Sequence, residues 1–258
     1  MMTGMIAAAG IFGLIVGSFL NVVIYRLPLH QSIAYPASHC SQCGQKIRAY
    51  DNIPVISFIL LRGRCRSCHE RIPLRYPLVE LITGLIAAVL YLRYGLTVEL
   101  AAFFLLSAGL VAIAFIDLDH GIIPNTLSYP GTIAGLVFSF FLRTNTPLAA
   151  VAGILAGAGI LFATAFLYKA ATGVEGMGMG DVKLMAMIGA FLGWQAALFT
   201  IILSALIGAL AGVGLVVFAG KGRKFAMPYG PFIAAAALVY LFYGQPLITA
   251  YLRIMGYA

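Results

Sequence analysis

Two aspartates and four cysteines carry most of the chemistry available to this sequence. Asp117 stands in Ala114-Phe115-Ile116-Asp117-Leu118-Asp119-His120, directly after an apolar run, and Asp181 in Gly178-Met179-Gly180-Asp181-Val182-Lys183, directly before another. Acidic residues number only eight in 258, and an ionisable side chain at membrane depth is costly and usually functional. Two carboxylates brought together in a low-dielectric pocket cannot both ionise easily. One keeps a proton while the other stays charged, so the pair can activate water and protonate a leaving amine. That is peptide hydrolysis without a metal or a covalent intermediate. Gly178 and Gly180 would let the backbone approach a neighbour or an extended substrate, and Asp119 and Lys183 complete the supporting set. Plainer roles stand beside these. Asp117 and Asp119 could sit at a helix end in the interface, and Asp181 could cap the next helix. Asp181 could pair with Lys183, although a spacing of two is poor on a helix. A proton-coupled transporter would also carry membrane aspartates, nearer the midplane. His120 could tune the pair or simply be an interfacial histidine.

The four cysteines form two CxxC pairs, Cys40/Cys43 and Cys65/Cys68, with 21 residues between them. Each turn offers two thiolates, and two turns close a tetrahedral Zn2+ shell with zinc-ribbon spacing. A shell closed by four cysteines has no open position, so the metal would be structural. The polar segment around it has few apolar side chains with which to fold, and a metal clip supplies what such a core lacks. Four reduced thiols on a loop are the alternative, and His39 or His69 could replace a cysteine ligand.

The elements that must position these groups are mostly membrane helices. Of the residues 62% are hydrophobic and 9% charged, against about 25% charged in a typical soluble domain. Lipid must therefore cover part of the surface. The first apolar run, Met5 to Ile24, lacks the basic start and small-residue cleavage site of a signal peptide and reads as a retained helix. Helices are expected near 4–24, 76–93, 97–117, 127–142, 147–168, 183–194, 196–219 and 230–249. Breaks at Arg93-Tyr94-Gly95 and Gly193-Trp194-Gln195 divide longer runs. The expected fold is thus all-α and polytopic, with about eight transmembrane helices and a small zinc-ribbon-like insertion. Gly153/Gly157 and Gly208/Gly212 read as helix-packing pairs.

The net charge of +8 does not point to nucleic acid, because no aromatic residues interleave with the basic ones. Eight basic residues, Arg26, Lys46, Arg48, Arg62, Arg64, Arg66, Arg71 and Arg75, fall in one segment with Asp51 and Glu70, a local charge of +6. Eight spans with the N-terminus outside put thirteen of the sixteen Lys and Arg residues on the cytoplasmic side, leaving Arg93, Arg143 and Arg253 outside. This follows the positive-inside rule and sets the basic loops against anionic membrane lipid. Asp117 and Asp181 then share the cytoplasmic boundary. Reduced cysteines, and hence a metal, suit that side.

These motifs, in this order, resemble the prepilin peptidases, or type IV leader peptidases, among the GxGD intramembrane aspartic proteases. The likeness runs from Gly17-Ser18-Phe19-Leu20-Asn21-Val22-Val23-Ile24-Tyr25-Arg26-Leu27-Pro28 through the CxxC pairs with Asn52-Ile53-Pro54 between them. It continues in Leu61-Arg62-Gly63-Arg64-Cys65 and Arg75-Tyr76-Pro77-Leu78-Val79-Glu80, then in Ile116-Asp117-Leu118-Asp119-His120. Glu175-Gly176-Met177-Gly178-Met179-Gly180-Asp181-Val182-Lys183-Leu184 and Pro228-Tyr229-Gly230-Pro231 complete it. The sequence departs from the family at Asn125, where relatives often carry Asp, and at Val182, where an aromatic is common.

The resemblance implies that Asp117 and Asp181 are the catalytic pair. It implies that the substrate is a prepilin or pseudopilin of type IV pili or type II secretion, cut between a basic leader and a hydrophobic helix at the inner face of the bacterial inner membrane. It further implies methylation of the new N-terminal amine from S-adenosyl-L-methionine, the cysteine-bearing type being the bifunctional one. On this reading residues 1–24 are the first transmembrane helix, 25–74 the cytoplasmic four-cysteine and methyltransferase segment, and 75–258 the transmembrane peptidase domain. Glu80 is then a candidate to hold or deprotonate the amine, against a plain role as an interfacial residue. The basic segment should repel a basic leader, so Asp119 and Glu175 are expected to meet it. A peptidase without methylation, and an inactive transporter or scaffold of the same fold, are the alternatives.

Overall fold

A computed structural model describes residues 2–174, 176–219 and 227–255. Among the described residues the protein is helical, without β-strands: α1 (Met2–Arg26), a short α2 (Ile56–Leu60), α3 (Arg75–Tyr94), α4 (Val98–His120), α5 (Asn125–Ser139), α6 (Pro147–Thr172), α7 (Met179–Ala219) and α8 (Gly230–Ile254). The chain forms two compact units, Met1–Ala112 and Ile113–Ala258, the division falling within α4.

All eight expected apolar segments are helical, because α7 contains two of them. Its backbone breaks at Gly193, where φ is 81°, a value that only glycine adopts freely. Among the described residues six helices, α1, α3, α4, α6, α7 and α8, are long and apolar enough to cross a membrane. This differs from the expected eight for two reasons: the two segments of α7 count as one helix, and α5 has 15 residues. At 1.5 Å per residue α5 is about 22 Å long, short of the ~30 Å hydrocarbon core.

In the first unit α1 packs on α3 through glycines that admit no side chain. A Cβ on Gly13 would lie 2.6 Å from both Ala87 Cβ and Thr83 O, and one on Gly17 would lie 2.7 Å from Glu80 Cα. The cysteine segment sits at the end of this pair, tied to it by hydrogen bonds described below. In the second unit α7 is the hub, packed against α5, α6 and α8. At the α6–α7 crossing a Cβ on Gly153 would come within 2.3 Å of Gly189 O, so backbone rests on backbone. A Cβ on Gly157 would lie 2.9 Å from Met185 O, as expected of a packing glycine, whereas Gly212 has no described atom within 4 Å of where its Cβ would be. The buried side chain of Asn145, in the α5–α6 connection, donates from Nδ2 to Ala190 O at 3.0 Å and holds α7 one turn before its break.

Candidate active site

Asp117 and Asp181 are both buried and both lie in the second unit. Each stands further inside its helix than the sequence suggests. α4 continues past Asp117 to His120, and α7 begins at Met179, so Asp181 lies in its first turn rather than ahead of it. A carboxylate there faces the positive end of the helix dipole. Asp117 Oδ2 accepts a 2.8 Å hydrogen bond from the Gly230 N–H at the start of α8. Asp181 receives a backbone hydrogen bond from Gly178, and its carboxyl feels the charge of Asp117. Two carboxylates from α4 and α7 thus converge, each steadied by a backbone N–H from a different element.

The supporting residues take distinct positions. Gly180 presses on the α4–α5 connection, since a Cβ there would lie 2.9 Å from Ile123 Cβ. Gly178 meets only Asp181 Oδ2, 3.6 Å from where its Cβ would be, and Gly180 N. Lys183 turns to α5: its Nζ donates to Asn125 Oδ1 at 2.8 Å and lies 5.3 Å from the centroid of the Tyr129 ring. Asp119 and His120 are exposed at the end of α4, and Glu175 lies outside the described residues.

The four cysteines come together in the first unit, their Sγ atoms all within 4.8 Å of one another. The two CxxC turns are built alike. Cys40 N–H donates to Gln45 O and Gly44 N–H to Cys40 O; Cys65 N–H donates to Glu70 O and His69 N–H to Cys65 O. The residue after each pair is left-handed, Gly44 with φ 69° and His69 with φ 58°. His69 is therefore a turn residue, and neither it nor His39 belongs to the cluster found among the described residues. Backbone N–H groups of Cys68 and Ser67 pull the Cys65 thiol down to about 7, as suits a group that binds metal as thiolate. Arg66, within the second turn, grips Asp51 through Nε and Nη2 at 2.6–3.1 Å, clamping the linker between the turns. That bond holds the Asp51 carboxyl below the usual carboxylate range.

Glu80 is buried beneath this module. Its Oε2 accepts from the Val55 N–H at 2.8 Å, and Ser18 bonds to it from α1. Val55 has φ 60°, a strained value for a β-branched residue, so Glu80 anchors a turn that would not hold itself.

Residues 11–94 match the bacterial peptidase A24 N-terminal domain, and residues 104–213 match the type IV leader peptidase family. A protein of Pseudomonas putida named prepilin leader peptidase/N-methyltransferase is 39% identical, over 98% of this chain and 95% of its own. Proteins of the same name from Pseudomonas aeruginosa and Stutzerimonas stutzeri are 37% and 36% identical, each over 96% of this chain and 93% and 94% of their own. The chain belongs to the type IV leader peptidase family. No solved structure matches it. As a member of this family with six candidate spans, it is a multi-pass protein of the inner membrane.

Within this leader peptidase framework the role of Gly230 is not legible in the sequence. Pro228-Tyr229-Gly230-Pro231 was recognisable as a motif, but nothing local says that its third residue donates to Asp117. A Cβ on Gly230 would stand 2.8 Å from Asp117 Oδ2, so the position demands glycine. Its neighbour Tyr229 shares a 2.8 Å hydrogen bond with Ser204 of α7 and lies within electrostatic reach of Asp181.

Proposed function

We propose that this protein is an aspartic endopeptidase that removes the basic leader from prepilins or pseudopilins at the cytoplasmic face of the membrane, and then methylates the new N-terminal amine. The observation that carries the reading is the buried convergence of Asp117 and Asp181, each fixed by a backbone N–H, in a chain aligned end to end with leader peptidases. The charged member of the pair takes a proton from water as it attacks the scissile carbonyl. The protonated member passes its proton to the departing amine. Gly230 and Gly178 hold the two carboxylates in place through both transfers. Gly180 lets α7 start close to Ile123, and Lys183 braces that start against α5. Asp119, exposed beside the pair, meets the leader's positive charges, and the N-terminus lies outside.

Zn2+ fits Cys40, Cys43, Cys65 and Cys68: four clustered sulfurs on two matched turns make a closed structural shell. For the second activity S-adenosyl-L-methionine supplies a methyl group activated on sulfur. A cavity of about 250 Å3 bounded by α1, α3 and the cysteine module suits a small molecule, and Glu80 lines it. There Glu80 takes the proton that the substrate ammonium gives up as its nitrogen becomes nucleophilic. Residues 25–74 supply the cytoplasmic part of the methyltransferase site, to which α1 and Glu80 of α3 add the rest, and the peptidase site lies within 75–258.

Prepilin cleavage by purified protein, comparing wild type with Asp117→Asn and Asp181→Asn, tests the peptidase reading. Each folded variant should lose about 10²–10⁴-fold in rate. Near-normal cleavage by either would remove that residue from the mechanism. The mass of the processed N-terminus separates the bifunctional enzyme from a peptidase alone, because only the former adds one CH2.

A further inference from the structure

The cavity between α1, α3 and the cysteine module holds an unusual set of buried polar groups. Ser18, Val22 and Arg26 stand at four-residue steps on α1, and Tyr76 and Glu80 do so on α3, so one line of each helix runs along its wall. Arg26 is only 5% exposed. One of its nitrogens donates to Ser32 O at 3.1 Å, a neutral acceptor for a positive charge at the wall of the cavity. Asn21 is 2% exposed. Its Nδ2 donates to Tyr76 O at 3.1 Å, while its Oδ1 has no partner among the described residues. The carboxylate of Glu80, 7% exposed, lines the same cavity. A buried charge is stable only when paired, and a buried acceptor only when it is given a donor. Of the buried residues in its lining, one is a cation, one a carboxylate and one offers an open carbonyl oxygen, while Lys46, Arg48, Arg66, Arg71, Asp51 and Glu70 line its more open part.

We infer that this cavity is the binding site of the methyl donor, with Arg26 and Asn21 gripping the amino-acid end of S-adenosylmethionine. The inference rests on the methyltransferase reading above and adds to it the two residues that bind the donor and the way round in which it lies. The guanidinium takes the donor's carboxylate, Asn21 Oδ1 accepts from its ammonium, and Glu80 faces the amine to be methylated. Arg26 and Asn21 thus bind the donor, whereas Glu80 serves the acceptor. A lipid phosphate could satisfy Arg26 but would offer Asn21 Oδ1 nothing unless it carried an amine, so the two are separable by experiment.

Binding of S-adenosylmethionine to the full-length protein in phosphatidylcholine nanodiscs, measured by calorimetry, tests this directly. Arg26→Gln should weaken binding by about 10- to 100-fold, the usual scale for losing a hydrogen-bonded charge pair. Glu80→Gln should change it by less than about threefold while removing methylation, because Glu80 is not assigned to the donor. Val22→Phe fills the cavity without removing a polar group and should also weaken binding. In wild type, ultraviolet cross-linking of radiolabelled donor should mark peptides from Ser18–Arg26 or Tyr76–Glu80, a readout that does not depend on any variant folding. Label confined to segments that do not line the cavity, or unchanged binding in Arg26→Gln and Val22→Phe, would overturn the assignment and leave the methyltransferase reading intact. Wild type that neither binds the donor nor methylates its product would defeat both. If binding in Arg26→Gln is normal in phosphatidylcholine and altered only in phosphatidylglycerol nanodiscs, Arg26 serves a lipid phosphate and the assignment fails.

Discussion

Asp117 depends on a residue that can contribute nothing but its backbone. The Gly230 N–H reaches Asp117 Oδ2 across 113 positions of sequence at 2.8 Å. Any side chain at 230 would place Cβ against the carboxylate it is meant to hold. Gly230→Ala should therefore shift Asp117 and lower leader cleavage by about 10²-fold, the scale of a misplacement near 1 Å, with substrate affinity little changed. Steady-state kinetics on the folded variant checks this, and a rate within a few-fold of wild type would mean that Asp117 tolerates the displacement. Lys183 makes the opposite case. It stands two positions from Asp181, yet its charge is directed to Asn125 and Tyr129, which steadies the entry to α7 rather than the aspartate pair.

Glycines set how closely the helices approach, and they are not equivalent. At Gly153 and Gly189 the α6 and α7 backbones touch, so an added side chain must separate the helices. Gly153→Val should destabilise the protein by about 1–3 kcal/mol, the usual cost of overpacking. Gly212→Ala, one of a pair with the same spacing signature, should be neutral or mildly stabilising, since helix interiors prefer alanine by about 1 kcal/mol. Melting temperatures of the two variants in one detergent test the contrast, and equal losses would refute it. The break in α7 obeys the same logic of local geometry. Gly193 permits the positive φ, and Asn145 secures the turn before it.

At the scale of the molecule, the metal module and the aspartate pair belong to different units. Removing the metal should unfold the module and lower methylation, while leader cleavage by α4, α7 and α8 persists. Cleavage and methylation assayed in parallel after chelation test this, and equal loss of both would show that the module also supports the peptidase. Retention of the metal should depend on pH with a definite sign. The Cys65 thiol lies at about 7 in the folded protein, below the ordinary thiol value of about 8.5. The stabilisation from this ionised thiol is full above the ordinary value and is lost as pH falls through about 7. Metal affinity, measured by competition with a chelator, should thus weaken as pH falls from 8 to 6, because protons compete for the sulfurs. An affinity independent of pH would refute thiolate ligation.

Composition and spacing alone were enough for the all-helical membrane architecture, the two matched cysteine turns, and the candidacy of Asp117 and Asp181. These properties are local: a long apolar run must become a helix in lipid, and CxxC makes a ligand turn from its own backbone. The true helix limits around the aspartates, the shortness of α5 and the idle position of Gly212 were not legible, because ends and faces are decided by neighbours. Nor could any spacing place Glu80 under Val55, Asn145 against α7, or Arg26 and Asn21 on one cavity. Only tertiary structure joins residues so far apart, since the free energy of such contacts comes from burial and from pairing polar groups that packing has already removed from solvent.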